Sequence, residues 1–246
     1  MDEYYPSPRE QERLQKTFEV LPTDIHTGLE IGFRDFRMTN LLRQKVDLVS
    51  IDLPKKIKVE DTYKLAFADI QSLPFHDKTF DIVVCTEVLE HLSEQVLLQG
   101  IAELQRVSRK YILASVPYQQ RVWNEMFKCA HCGFVCHSME HLHCLDDKKL
   151  LTLFEGTTPE KINFIGTMPG YAPDWFYRLA KTVGNVWVDF NAGYCPNCQQ
   201  SDKAVEPNPL GYVLQRLIWR LEQRATPRPA WVLVLLRVTA SGDSAG

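Results

Sequence analysis

Over the first 115 residues, short apolar runs alternate with polar stretches of helical period, the pattern of a parallel sheet with crossover helices. Residues 28–32 (GLEIG) read as a strand ending in a turn, and residues 36–44 as the helix after it. Residues 46–52 (VDLVSID) make a second strand, stopped by Pro54, and residues 64–68 a weaker third. The apolar run 80–85 (FDIVVC) predicts a buried fourth strand. A helix over 94–107 follows, then a fifth strand over 111–116 (YILASV), stopped by Pro117.

The periodicity fails between residues 118 and 147, a segment dense in Cys and His. Residues 148–154 again look helical, and residues 161–166 form a sixth strand. A second irregular insertion, 167–228, holds a helix at 174–183, the pair Cys195 and Cys198, a Pro-rich stretch (EPNP) and a helix at 210–224. Residues 231–238 (WVLVLLRV) supply a seventh strand, and residues 241–246 are expected to be a disordered tail. No internal repeat is visible.

A chain of 246 residues can bury one substantial core and carry a small appendage. With 28 Lys+Arg against 31 Asp+Glu, its formal charge of -3 makes no global basic field, so a small or neutral substrate is expected rather than nucleic acid. The arginines of the 210–224 helix and Arg228 read as a solvated face. The apolar run 231–236 is far shorter than the roughly 20 residues a bilayer requires. Residues 1–12 are charged and contain Pro6 and Pro8, unlike a secretory signal. These features lead us to expect a cytoplasmic protein without a membrane partner. They leave its oligomeric state open.

Gly32 ends the first strand, and Asp52 closes the second twenty positions later. A nucleotide site demands this spacing: a glycine lets the backbone turn tightly beneath the ligand, and a carboxylate at the next strand's end accepts from ribose hydroxyls. A dinucleotide fingerprint would also require glycines at 34 and 37, so that the main chain could approach a pyrophosphate. Those positions are Arg34 and Arg37, which demotes a nicotinamide-dependent oxidoreductase. S-adenosylmethionine, which has no phosphate, tolerates such a loop better.

Residues 67–75 (FADIQSLPF) and 80–92 (FDIVVCTEVLEHL) complete a set that resembles the class I S-adenosylmethionine-dependent methyltransferases over residues 26–118. The resemblance implies an α/β fold: a Rossmann-like, doubly wound sheet of about seven strands, mostly parallel with an antiparallel last strand. It also implies roles for named residues. Glu30 and Gly32 would line the methionine and its amino group, and Asp52 would hold the ribose. Asp69 would accept from the adenine amino group beside the Ile70 main chain, and Glu87 would lie along the cofactor's edge. The chain departs from the family's G-x-G-x-G, which becomes Gly32, Arg34 and Phe36, with Asp35 beside Arg34.

Methyl transfer from a sulfonium needs orientation and a dry pocket more than a nucleophilic residue. For a hydroxyl acceptor, His91 is the candidate base, because it follows the fourth strand close to where the methyl should lie. Tyr118, Gln119 and Trp123 fall where an acceptor would meet the strand ends.

Seven cysteines in a chain with no evident export signal favour metal over disulfides. Cys129 and Cys132, with Cys195 and Cys198, are two Cys-x-x-Cys turns that together would complete a tetrahedral structural zinc. Cys136, His137, His141, His143 and Cys144 lie near enough to offer other ligand sets. The expected division is a cofactor-binding half at 1–116 and a Cys/His-rich insertion at 117–160. The rest of the sheet then falls at 161–240, where the insertion at 167–228 completes a zinc lobe. Residues 123–154 also resemble an insertion in bacterial methyltransferases associated with saccharide or secondary-metabolite gene sets. That likeness implies a small-molecule, saccharide or secondary-metabolite acceptor with His141 or His143 near it; separately, transfer to oxygen is expected over nitrogen or carbon. The rival reading is a scaffold protein that keeps the fold without catalysis.

Overall fold

A computed structural model of the chain describes residues 7–34, 36–54 and 63–239. Asp35 and the expected tail at 241–246 lie outside those residues. The chain divides into two compact units. The first comprises the described residues of Met1–Tyr118 with Leu145–Gly166 and Ala230–Gly246; the second is Gln119–Cys144 with Thr167–Pro229.

The first unit is built on a seven-stranded sheet. Its strands are β1 (Thr27–Ile31), β2 (Asp47–Asp52), β3 (Lys64–Phe67), β4 (Phe80–Thr86), β5 (Ser108–Pro117), β8 (Thr157–Ile165) and β9 (Trp231–Val238). Their order across the sheet is β3-β2-β1-β4-β5-β9-β8. β1 to β5 pair in parallel, and β9 runs antiparallel to both β5 and β8. The expected doubly wound sheet with an antiparallel last strand is therefore present.

Alternating side chains of the central strands feed two cores, as period-2 geometry requires. Val83 and Cys85 join Leu97, Ile101 and Leu104 of α3 (Glu94–Val107) and Leu150 of α4 (Asp147–Leu153) on one face. Ile82 and Val84 join Val20 of α1 (Pro8–Val20) and Met38 and Leu42 of α2 (Arg37–Leu42) on the other. A strand covered on both faces reads as unbroken apolar sequence, which is why residues 80–85 show no alternation.

The charged N-terminal sequence does not predict helix α1. Its start is a capping box in which Glu10 N–H donates to Ser7 Oγ at 3.3 Å and Ser7 N–H donates to Glu10 Oε2 at 2.7 Å, with Pro8 in the first turn. The second unit contains a small hairpin, β6 (Met126–Lys128) with β7 (Val135–His137), and helices α5 (Asp174–Gly184) and α6 (Pro209–Arg224). The hairpin also escapes the sequence pattern, since three-residue strands carry too few positions to show a period.

Leu104 is fully buried on α3, whereas Leu98 of the same helix is exposed. Leu104→Ala should cost roughly 2–5 kcal/mol in urea unfolding, and Leu98→Ala less than about 0.5 kcal/mol. Equal losses would contradict the burial pattern.

Candidate functional site

The strand order reverses at β1, with β2 and β3 on one side and β4 and β5 on the other. At such a switch point the loops leaving the carboxyl ends diverge and open a crevice for a ligand. Gly32 leaves β1 there with φ +82°, and its N–H donates to Ile51 O at 2.8 Å. A Cβ at this position would stand 2.7 Å from Val88 Cγ2, so the close approach as well as the torsion requires glycine.

Asp52 closes β2, and its Oδ1 accepts from Leu53 N–H at 2.8 Å. Asp69, just past β3, is exposed; its Oδ1 accepts from Gln71 N–H at 2.9 Å, and the Gln71 amide reaches both oxygens. Ile70 beside it is buried. Glu30 lies inside β1, where its Oε2 accepts from Thr39 Oγ1 and Ser50 Oγ, each at 2.7 Å. It thereby ties β1 to β2 and α2. The exposed Leu53 and Phe67, next to these carboxylates, add apolar surface that carries no motif. Their signal is position alone: each adjoins the end of a strand in the same paired register, Asp52 with Phe67.

The glycine-poor loop has a physical explanation. Phe36 takes φ 59°, the left-handed conformation glycine would adopt, at a cost of about 1–2 kcal/mol. Its ring stacks on Phe33 with centroids 5.4 Å apart and meets Tyr63 at 4.8 Å. Aromatic packing thus maintains a backbone that glycine would have adopted without strain.

Glu87 follows β4 in the same left-handed region, with φ 57°. Its Oε1 accepts from Ser115 Oγ at 3.1 Å and its Oε2 from Trp231 Nε1 at 2.6 Å. Glu90, in the short 3-10 turn Leu89–His91, is 1% exposed, and neither of its carboxyl oxygens has a hydrogen-bond partner. Burial, reinforced by the neighbouring Glu87 charge, pushes the Glu90 carboxyl well above the usual carboxylate range; burial also raises Glu87. The Arg13 guanidinium, 5.4 Å over the Trp231 ring, opposes both shifts. His91 is exposed at the end of the turn. Arg13, Ser115 and Trp231 carry no sequence signal, because only tertiary structure brings them to Glu87. Tyr118, at the end of β5, packs edge-on against Phe164 with centroids 5.0 Å apart.

In the second unit, the sulfurs of Cys129, Cys132, Cys195 and Cys198 all lie within 4.8 Å of one another. Cys129 Sγ is 3.7 Å from Cys198 Sγ, and Cys132 Sγ is 3.7 Å from Cys195 Sγ. A disulfide would bring two sulfurs to about 2.05 Å. A tetrahedral ion with metal–sulfur bonds near 2.3 Å sets its ligand edges at roughly 3.8 Å, so this spacing suits four thiolates around one ion. The two turns are built alike. Gly133 N–H donates to Cys129 O at 3.0 Å with φ 73°, and Gln199 N–H donates to Cys195 O at 2.9 Å with φ 56°. The Asn197 amide, 3.5 Å from Cys132 Sγ, holds that thiol down to about 6. Cys136 packs beside the cluster but outside it, and burial pushes its thiol up to about 11.

His137 and His141 lie in a buried network outside the four-cysteine cluster. His137 Nδ1 accepts from Met139 N–H and His141 N–H, and the two rings stack with centroids 4.8 Å apart. Gln120 Nε2 donates to Glu125 Oε2 at 2.7 Å, which turns Gln120 Oε1 toward His141 Nδ1. Oε1 can only accept, so His141 carries its proton on Nδ1. Gln119 has φ 47°, Trp123 and Cys144 are exposed, and His143 is half-buried. Lys181 is buried, donates to Asn124 O at 3.0 Å, and is pulled down to about 8 by burial against the opposing charge of Glu125.

Residues 29–111 match the family model described as "Methyltransferase domain". An uncharacterized protein of Methanocaldococcus jannaschii, MJ0638, is 33% identical over 79 residues, covering 32% of this chain and 34% of that protein. The match thus spans about a third of the relative's length. Among solved structures, a SAM-dependent methyltransferase from Archaeoglobus fulgidus aligns with TM-score 0.55 at 15% identity, over 94% of this chain and 95% of that one. The N-methyltransferase NodS from Bradyrhizobium japonicum, in complex with S-adenosyl-L-homocysteine, aligns with TM-score 0.53 at 14% identity, over 95% and 89%. At these identities the structural likeness establishes the fold.

Lys181 gives a pH-dependent prediction. Its folded pKa lies near 8, below the 10.5 of an ordinary lysine, so the unfolded chain binds more protons between those values and stability rises with pH there. Relative to Lys181→Met, the parent should gain up to roughly 3 kcal/mol between pH 8 and 10.5 in paired urea titrations. Parallel pH profiles would contradict the buried-ammonium assignment.

Proposed function

We propose that this chain is an S-adenosylmethionine-dependent methyltransferase acting on a small-molecule, saccharide or secondary-metabolite acceptor, with transfer to oxygen. The observation that carries the reading is that Gly32, Asp52, Asp69 and Glu87 each lie at or just past the carboxyl end of β1, β2, β3 and β4, the strands that flank the switch point of the sheet. The domain match over residues 29–111 supports it independently.

The residues fit the cofactor chemically. Gly32 opens space for the amino-acid portion, and Glu30 beside it in sequence ties β1 to α2 and β2 through Thr39 and Ser50. Asp52 accepts from the ribose hydroxyls. Asp69 takes the adenine amino group beside the Ile70 main chain, while Leu53 and Phe67 offer apolar surface to a flat ring. Glu87 lies at the cofactor's edge, its carboxylate pinned by Ser115 and Trp231. When bound, S-adenosylmethionine supplies a methyl group on a good leaving group, so the chain's tasks are orientation and exclusion of water. His91 takes the acceptor's hydroxyl proton on its imidazole.

Cys129, Cys132, Cys195 and Cys198 hold a structural zinc. Four thiolates leave no open position on the ion, so it stabilises the second unit and takes no part in catalysis. A second reading, a fold retained for binding without catalysis, is favoured by Phe36, stacked on Phe33, at a position where the family pattern has glycine.

Calorimetric titration separates the two. S-adenosylhomocysteine should bind saturably, and Asp52→Ala should weaken binding at least about tenfold, the loss of one charge-assisted hydrogen-bonding group. Folded, metal-replete protein that binds neither S-adenosylmethionine nor S-adenosylhomocysteine would favour the scaffold reading. Elemental analysis should find about one zinc per chain. Chelation or Cys195→Ser should lower the melting temperature; zinc-free protein with unchanged melting would refute the metal assignment.

A further inference from the structure

Helices α5 and α6 form an antiparallel pair within the second unit. At one end Asn208 Nδ2 donates to Val183 O at 2.7 Å, and at the other Tyr177 Oη donates to Glu222. The seam between them is apolar, with Phe176, Tyr177 and Ala180 facing Leu214 and Ile218. That seam uses only part of each helix's apolar surface. On α5, Trp175, Leu179 and Val183 recur every four residues, border the seam and are exposed. On α6, Leu210, Val213, Leu217 and Leu221 recur at spacings of three and four and are exposed as well. Trp175 is 64% exposed, and Trp219 of α6 is 61% exposed. Exposed apolar residues scattered singly need no explanation, but two periodic stripes on paired helices do.

The charge around these stripes indicates what covers them. The acidic side chains of the two helices are already engaged: Asp174 pairs with Arg121 at 2.6 Å, and Glu222 accepts from Tyr177. Among the described residues, Arg178, Arg216, Arg220 and Arg224 are exposed and make no ion pair. A second copy of this face would set like charges against each other. All four cations are arginine, which, with tryptophan and tyrosine, is enriched in protein interfaces where lysine is depleted. An apolar face on an antiparallel helix pair is also completed naturally by a third helix in the groove between them.

We infer that the α5–α6 face is a docking surface for an acidic amphipathic helix of a partner protein. The partner helix lays its apolar stripe along Leu179, Val183, Val213 and Leu217, and its flanking carboxylates pair with Arg178, Arg216 and Arg220. This surface is independent of methyl transfer, so its test does not depend on that reading.

The probe is a synthetic helical peptide of about five turns with leucines on one face flanked by glutamates, labelled for fluorescence anisotropy against the full-length, metal-replete chain. We expect saturable binding that weakens at least about tenfold when the glutamates become lysines, and again in Leu217→Glu. The paired change Arg216→Glu with Arg220→Glu should shift preference toward the lysine peptide. Because all three positions are exposed, circular dichroism and zinc content should stay at parent values. Absence of binding to the acidic peptide, or equal binding of both peptides, would overturn the inference. So would sedimentation with phosphatidylglycerol vesicles that Leu217→Glu abolishes, which would assign the face to a lipid surface. A dimer in analytical ultracentrifugation that Leu217→Glu dissociates would overturn it in favour of a second copy.

Discussion

The parallel pairing of β1 with both β2 and β4 is the constraint on which the first unit depends. Ile31 sits in register with Ile51 on one side and Cys85 on the other, so the carboxyl ends of three strands stop at one level. The chain then leaves β1 and β4 in diverging directions. Gly32 and Glu87 both take left-handed torsions as they depart, and Val88 packs where a side chain on residue 32 would stand. Asp52 pairs in the same parallel register with Phe67, the last residue of β3, and Asp69 follows two residues beyond it. Shifting any one of these strands by one residue would turn its inward side chains outward and move its terminal carboxylate to the other face.

What is legible in the sequence follows from periodicity and turn chemistry. Residues 80–85 read as buried because a strand covered on both faces is apolar throughout, and β9 spans the same residues, Trp231–Val238, that its apolar run marks. Asp52 is visible because it closes a strand at a spacing that nucleotide chemistry requires. The first helix hides in a charged segment although Ser7, Pro8 and Glu10 form its capping box, since charge dominates the pattern there and the cap is only three residues. Contacts between distant segments are not legible at all. Nothing in the order of residues announces that Trp231 donates to Glu87, or that Arg13 sits above the same indole.

The cysteines show both sides of that limit. Two Cys-x-x-Cys turns are visible as local motifs, but their meeting depends on 62 intervening residues folding back. The 3.7 Å sulfur separations and the matched left-handed residues Gly133 and Gln199 make the two turns equivalent halves of one cluster. Of the neighbouring histidines, His137 accepts from two backbone N–H groups through Nδ1 and His141 meets the Gln120 amide through Nδ1, and neither joins the four-cysteine cluster. In the same unit, the second insertion reads as irregular sequence with two helices. The exposed stripes on those helices emerge only when the seam they share is known.

Hydrogen–deuterium exchange on addition of S-adenosylhomocysteine tests most directly whether the strand ends around β1 form the cofactor site. Protection should concentrate in peptides covering residues 30–38, 52–54, 68–72 and 86–92. Protection confined to other segments, with these four unchanged under saturating ligand, would contradict that placement.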